Sequence, residues 1–246
     1  MLKEPLKKLK HALGQCVRIA TKRWYQYEIS PDDATTIFGC SFGDDGWHHI
    51  RKTLEELEGN PSLPVHETTL HKYLINFKPS SISSLAGVSE GKPLALFEYP
   101  WGSFSTIKRA RNKKPENSRF CGPSTEAFIN EELARILALK DSVAVDGYHP
   151  EVYPNSYISG TWLIDSQGQR RFVVMQGNHR LAVLAHLGYK KIQVRSTRLA
   201  LDKVLHSDIR RWPAVLSGRC TLDDAEQIFK FFFVNNGRHI RALLER

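Results

Sequence analysis

The sequence has no apolar run approaching the ~20 residues that a membrane-spanning helix needs, which argues against a spanning segment. Its first residues lack an apolar core followed by a small-residue cleavage site, so a secretory leader is not expected. The four cysteines, Cys16, Cys40, Cys121 and Cys220, are far apart and form no CxxC pair. That spacing excludes a zinc-ribbon motif and a dense disulfide framework, and it suits a reduced, cytoplasmic setting. Internal repeats and coiled-coil heptads are also missing. What remains is ordinary for a globular chain: 246 residues, 41% hydrophobic and 25% charged, enough for one large domain or two small ones.

The charge is uneven. Residues 1–24 set seven Lys and Arg against Glu4 alone, and residues 106–119 set six against Glu116 alone. Together these two stretches exceed the net charge of +9, so the rest of the chain is slightly acidic. A near-neutral body with two basic attachments makes pI a poor argument for nucleic-acid binding. In residues 1–24, Leu2, Leu6, Leu9, Leu13, Val17, Ala20 and Trp24 recur at helical steps. A basic amphipathic helix of this kind suits an anionic membrane surface, and equally suits docking on the protein's own body.

Phe172 to Arg195 is the stretch with the sharpest changes of character. Phe172-Val173-Val174-Met175 reads as a buried strand, Gln176-Gly177-Asn178 as a tight turn, and His179 onward as a helix stopped by Gly188. Ile192 and Val194 then resume a strand. A glycine turn opening a helix that starts with His and Arg is a candidate phosphate site. The first backbone N–H groups of a helix have no partner within it, and its positive end favours anions.

Gly177-Asn178-His179-Arg180 followed by Leu187-Gly188 resembles the ParB/sulfiredoxin-like superfamily, whose signature is a strand, a Gly-x-[His/Arg]-Arg turn, a helix, Leu-Gly and a final strand. Glu131 to Leu137 looks like that family's first helix and Asp146-Gly147-Tyr148 like the turn after it, so the likeness runs from about Gly122 to Thr197. The resemblance implies an α/β (α+β) fold with a mixed sheet, and a nucleotide phosphate held by Gln176, Gly177, Asn178, His179 and Arg180. Members include CTP-hydrolysing partition proteins, sulfiredoxins and kinases of free serine. Asn178 stands where sulfiredoxins carry their cysteine, which excludes that chemistry. The serine kinases are nearest in pattern, but their aspartate corresponds to Gln176. The implied activity is an ATP- or ADP-dependent phosphotransferase, with Mg²⁺ on the phosphates and a hydroxyl of a small molecule or of a glycan or lipid precursor as acceptor. Glu126 is the best positional match to the kinases' essential glutamate, with His179 as its catalytic companion. A partition-type, CTP-binding protein on DNA and a nucleotide sensor without chemistry are the other readings. Nucleic acid is the weaker partner of the two, because too little chain follows for a DNA-reading domain.

The rest of the chain divides as 1–24, a basic helix; 25–119, an extension with the basic loop 106–119; 120–197, the resembling domain; and 198–246, C-terminal helices. The expected elements are a short strand at Tyr25–Ile29, a helix from Trp47 to Leu57 capped by Asp45, and a helix starting around His66–Tyr73. A strand at Leu94–Phe97 leads into Pro100-Trp101-Gly102, whose aromatic surface either stacks on a ligand ring or packs inward. A helix capped by Ser124 or Thr125 runs to about Leu139, with Glu131 and Glu132 expected on its solvated side. Ser156–Ile164 and Arg171–Met175 form a hairpin, in which Gly160 suggests a bulge or a close ligand. Leu199–Leu205 reads as helical, and Thr221 caps a helix from Leu222 to Val234. His48 and His49 follow Asp44 and Asp45, but neighbouring helix positions point apart and make a shared metal ion a poor expectation. Arg210 and Arg211 are extra phosphate ligands or surface charges. The expected location is cytoplasmic, peripheral to the inner membrane face if residues 1–24 bind lipid.

Overall fold

The computed structural model describes residues 26–88, 93–103, 117–152, 157–196 and 202–245. The basic helix read into residues 1–24, and all but 117–119 of the basic loop, lie outside these residues. The described chain is mixed α/β, with a six-stranded sheet in the order β1-β7-β5-β6-β2 and β8 also paired with β5. Its strands are β1 (Gln26–Ile29), β2 (Ala34–Thr36), β5 (Ile158–Ile164), β6 (Arg170–Gln176), β7 (Ile192–Ser196) and β8 (Lys203–Leu205), and β3 (Glu98–Tyr99) and β4 (Gly102–Ser103) form a separate pair. The eight described helices are α1 (His49–Gly59), α2 (Thr69–Asn76), α3 (Ile82–Leu85), α4 (Glu126–Asp146), α5 (Asn178–His186), α6 (Pro213–Leu216), α7 (Leu222–Val234) and α8 (Arg238–Leu244). None of them is long and apolar enough to cross a membrane.

The hairpin of β5 and β6 is the centre of the sheet. Side chains alternate between the faces of a strand, yet Phe172, Val173, Val174 and Met175 are all buried, as are Ile158 to Leu163. The sheet is therefore covered on both sides. Gly160 is mid-strand because a Cβ there would lie 2.2 Å from the Val173 carbonyl oxygen, and the register slips between Ser159 and Gly160. β1 and β2 come from before residue 120 and β8 from beyond 197, so one sheet crosses the boundaries expected from the sequence.

Several elements differ from the sequence expectation. The helix expected from Trp47 starts two residues later and is capped by His48 rather than Asp45. The His48 Nδ1 accepts the Ile50 N–H at 3.2 Å. Leu94–Phe97 is not a strand: Ala95 makes one bridge to Ser81, Phe97 takes φ +72°, and the pairing begins at Glu98. Lys203–Leu205 is strand rather than helix, paired in parallel with Trp162–Ile164 along the edge that β7 leaves open. The helix capped by Thr125 continues past Leu139 to Asp146. Trp101 of the Pro-Trp-Gly turn packs inward against Trp212, Phe229 and Phe232. At the C-terminal end, the Trp47 N–H donates to the Asn236 carbonyl at 2.7 Å, and Asn236 donates to the Asp45 carbonyl, which steadies the loop that delivers His48.

Candidate functional site

A cleft of about 480 Å³ opens where α5 begins. β6 ends at Gln176, and Gly177 takes φ +89°, the left-handed conformation that turns the chain into α5. A Cβ at Gly177 would lie 3.0 Å from Ile158 Cγ1 and 3.1 Å from its Cα, so the turn is also close to β5. Gly177 has no side chain to cap the helix, and the first turn of α5 (Asn178, His179 and Arg180) lines the cleft. The start of α1 lines it too, through His48, His49 and Ile50. Two helix N-termini, of 9 and 11 residues, thus converge on one cavity with their positive ends. Ile37, Phe38, Tyr73, Phe120, Leu139 and Met175 supply its apolar walls.

All five residues expected to hold phosphate, Gln176 to Arg180, therefore border one cavity. Gln176 is exposed, with its Oε1 3.4 Å from the Ser159 hydroxyl. Glu126 is elsewhere. Its side chain is 66% exposed, it does not line the cleft, and its Oε1 is 2.8 Å from His71 Nε2. Arg210 and Arg211 are exposed and do not border the cleft either.

The carboxylate that does reach this region is Glu132, six positions on, about 9 Å further along α4. Far from solvated, it is 1% exposed. Arg119 Nε lies 2.8 Å from Oε2, Arg135 Nη1 3.2 Å from Oε1, and His179 Nδ1 3.9 Å from Oε1. Neither carboxylate oxygen accepts a well-aligned hydrogen bond, so the buried charge is compensated chiefly by Coulomb attraction, with the close Arg119 contact adding to it. Burial pushes the Glu132 carboxyl up from its ordinary range, with Arg119 pulling the other way. Arg119, the last residue of the basic stretch 106–119, lines the cleft together with Arg135 and Arg180.

Three imidazoles complete the lining. Burial drives His48 down to about 3, helped by His179 and Arg51. His49 is held well below the usual histidine value, again first by burial. His179 falls to about 4, through burial and then the charges of Arg119 and Arg180. All three are neutral at pH 7. His48 and His49 do not point apart, because His48 is an extended cap residue outside the helix; their rings stack at 4.6 Å and 18°. The stack continues on both sides, from Phe42 at 4.5 Å to Tyr73 at 3.8 Å. Sequence reasoning missed Arg135 and this pair as cleft residues, and Glu132 as the buried carboxylate behind them; Arg119 it reached only as part of a basic loop that could close over an anion. The one signal pointing to His48 was its place just ahead of an apolar helical pattern.

No group of three or more His, Cys, Asp or Glu among the described residues is arranged to hold a metal ion. The cleft's side-chain oxygen donors include the neutral amides of Gln176 and Asn178 but no carboxylate, which is a poor cage for Mg²⁺. The imidazoles are nitrogen ligands, and the carboxylate of Glu132 is paired with guanidiniums. Compared with models of known protein families and with curated proteins, the chain matches none.

Proposed function

We propose that this protein binds a nucleotide polyphosphate in the cleft and transfers a phosphoryl group to a hydroxyl, on a ParB/sulfiredoxin-like core. The observation that carries the reading is the start of α5. A left-handed glycine releases an uncapped helix end into a cavity lined by Arg119, Arg135, Arg180 and His179. The N–H groups of that end and the guanidiniums are suited to ATP or ADP oxygens. Any Mg²⁺ arrives on the phosphates, since the chain's own donors do not form a cage for it. Phosphoryl transfer depends chiefly on positioning and charge compensation, which this lining supplies.

Glu132 takes the role that the sequence assigned to Glu126. A carboxyl whose proton affinity is raised by burial is a better general base, and Glu132 is the carboxylate in ion contact with two cleft arginines. The acceptor is a small hydroxyl compound or a glycan or lipid precursor. Gln176, in the place of a carboxylate, favours a second reading in which the nucleotide is sensed without turnover.

The test is calorimetry with ATP, ADP and CTP on the full chain, alongside phosphoryl release from ATP. Wild type is expected to bind at least one of the three, and Arg180→Ala and His179→Ala to weaken binding tenfold or more. Glu132→Gln is expected to keep nucleotide affinity within about threefold and to lose turnover. Unchanged turnover in Glu132→Gln favours the sensor, and absence of any binding sinks both readings.

A further inference from the structure

His48 has a feature that capping α1 does not use. Its Nδ1 accepts the Ile50 N–H, so in the neutral ring the proton is on Nε2. That Nε2–H is buried, in a residue 2% exposed, and has no hydrogen-bond partner. A buried donor left unpaired costs free energy and calls for an explanation, which in a cleft-lining residue a ligand oxygen would supply. The ring cannot turn to find another partner. Phe42 covers one face at 4.5 Å, His49 covers the other at 4.6 Å, and the cap bond fixes its plane. With both faces covered and Nδ1 turned to the helix N–H, the Nε2 edge is the part of the ring left without a partner, in a residue that lines the cleft and caps an 11-residue helix. The neighbouring His49 has an unpartnered buried Nδ1 as well.

Arg51, in the first turn of α1, does not border the cleft: its guanidinium is tied to the Phe42 and Gly43 carbonyls at 2.5 and 2.7 Å and to Asp44 at 3.4 Å, so it adds only a background positive charge. Helix end and N–H edge both favour negatively charged oxygen.

We infer that the start of α1, through the His48 Nε2–H, forms a second oxyanion subsite in the cleft, distinct from the one at α5 and sized for a phosphoryl or carboxylate group. It rests on the proposed function in that both subsites serve one reaction: α5 holds the nucleotide's inner phosphates, and α1 holds the terminal phosphoryl group or an anionic group of the acceptor.

Two variants separate this role from structure. His48→Asn keeps a good cap but removes the ring, and His48→Phe keeps the ring stack but removes the cap. They share only the loss of the Nε2–H. Orthophosphate is titrated into the ADP-saturated full chain by calorimetry. Wild type is expected to bind it, both variants to weaken it at least tenfold, and ADP affinity to stay within twofold. If ATP then excludes orthophosphate, the subsite belongs to the terminal phosphate; if the two coexist, it belongs to the acceptor. Either result sustains the inference. It is overturned if ADP-saturated wild type takes up no orthophosphate, or if only one variant weakens it. Should ADP itself fail to bind, the proposed function falls, and orthophosphate alone against the same variants still decides the α1 subsite.

Discussion

Glu132 carries its charge under unfavourable conditions. It is removed from water, it faces two guanidiniums without well-aligned hydrogen bonds, and burial outweighs their attraction enough to raise its proton affinity. A carboxyl with a raised folded pKa binds protons more tightly in the folded state than in the unfolded one. Stability therefore falls as pH rises through its titration range, and the ionised group is a net burden at neutral pH. Glu132→Gln, nearly the same shape but neutral, is accordingly expected to melt higher than wild type at pH 8. The gap should close as pH is lowered through the carboxylate range. Thermal melts of both proteins at pH 4, 6 and 8 check this, and a variant that melts lower at pH 8 contradicts it. A carboxylate kept at a cost in stability is what the proposed role of Glu132 requires energetically. Glu126 shows no such conflict: it is exposed and in contact with His71.

Elements of this fold were legible where the deciding forces are local. Gly177 as a turn, α5 behind it, the bulge at Gly160 and the Thr221 cap of α7 all follow from backbone sterics or a capping side chain a few residues away. The Thr221 hydroxyl accepts from the Asp224 N–H, as a cap read from the sequence should, and the Asp224 side chain accepts from the Thr221 N–H in return. Thr221→Ala is expected to cost about 1 kcal/mol in urea unfolding. Gly160→Ala should cost more, about 1–3 kcal/mol, because its Cβ meets a β6 carbonyl that cannot move without breaking the ladder. Equal costs in the two variants would argue that the bulge is soft. What was not legible depends on partners far along the chain. Lys203–Leu205 becomes a strand only because β5 offers the edge that β7 leaves uncovered. Glu132 is buried only because Arg119 and the start of α5 close over α4. His48 displaces Asp45 as a cap because the loop before α1 is tied to Asn236, 188 positions later. Periodicity places a residue on a helix face; it does not say what that face meets.

At the scale of the molecule, the cleft makes folding sensitive to acid. His48 and His179 have folded values near 3 and 4, against about 6.5 in an unfolded chain, and His49 is depressed in the same direction. A depressed histidine stabilises the fold above the unfolded value, and that stability is lost as pH falls from about 6.5 towards the folded one. Each such ring contributes a slope of up to about 1.4 kcal/mol per pH unit in that window. Urea unfolding at pH 7, 6 and 5 should show stability falling steeply. A His48→Asn/His179→Gln double variant should flatten the slope towards that of a protein with two fewer titrating groups. An unchanged slope would show that these rings do not titrate on unfolding. A polyphosphate bound as proposed would reverse the balance inside the cleft. Its charge lowers the cost of protonating His179, so binding takes up protons, and by linkage its affinity must rise as pH falls towards that titration. ADP is therefore expected to raise the melting temperature more at pH 5.5 than at pH 7.5, with His179→Gln removing most of the difference. Protection that is equal at the two pH values would place the phosphates away from the histidine cluster.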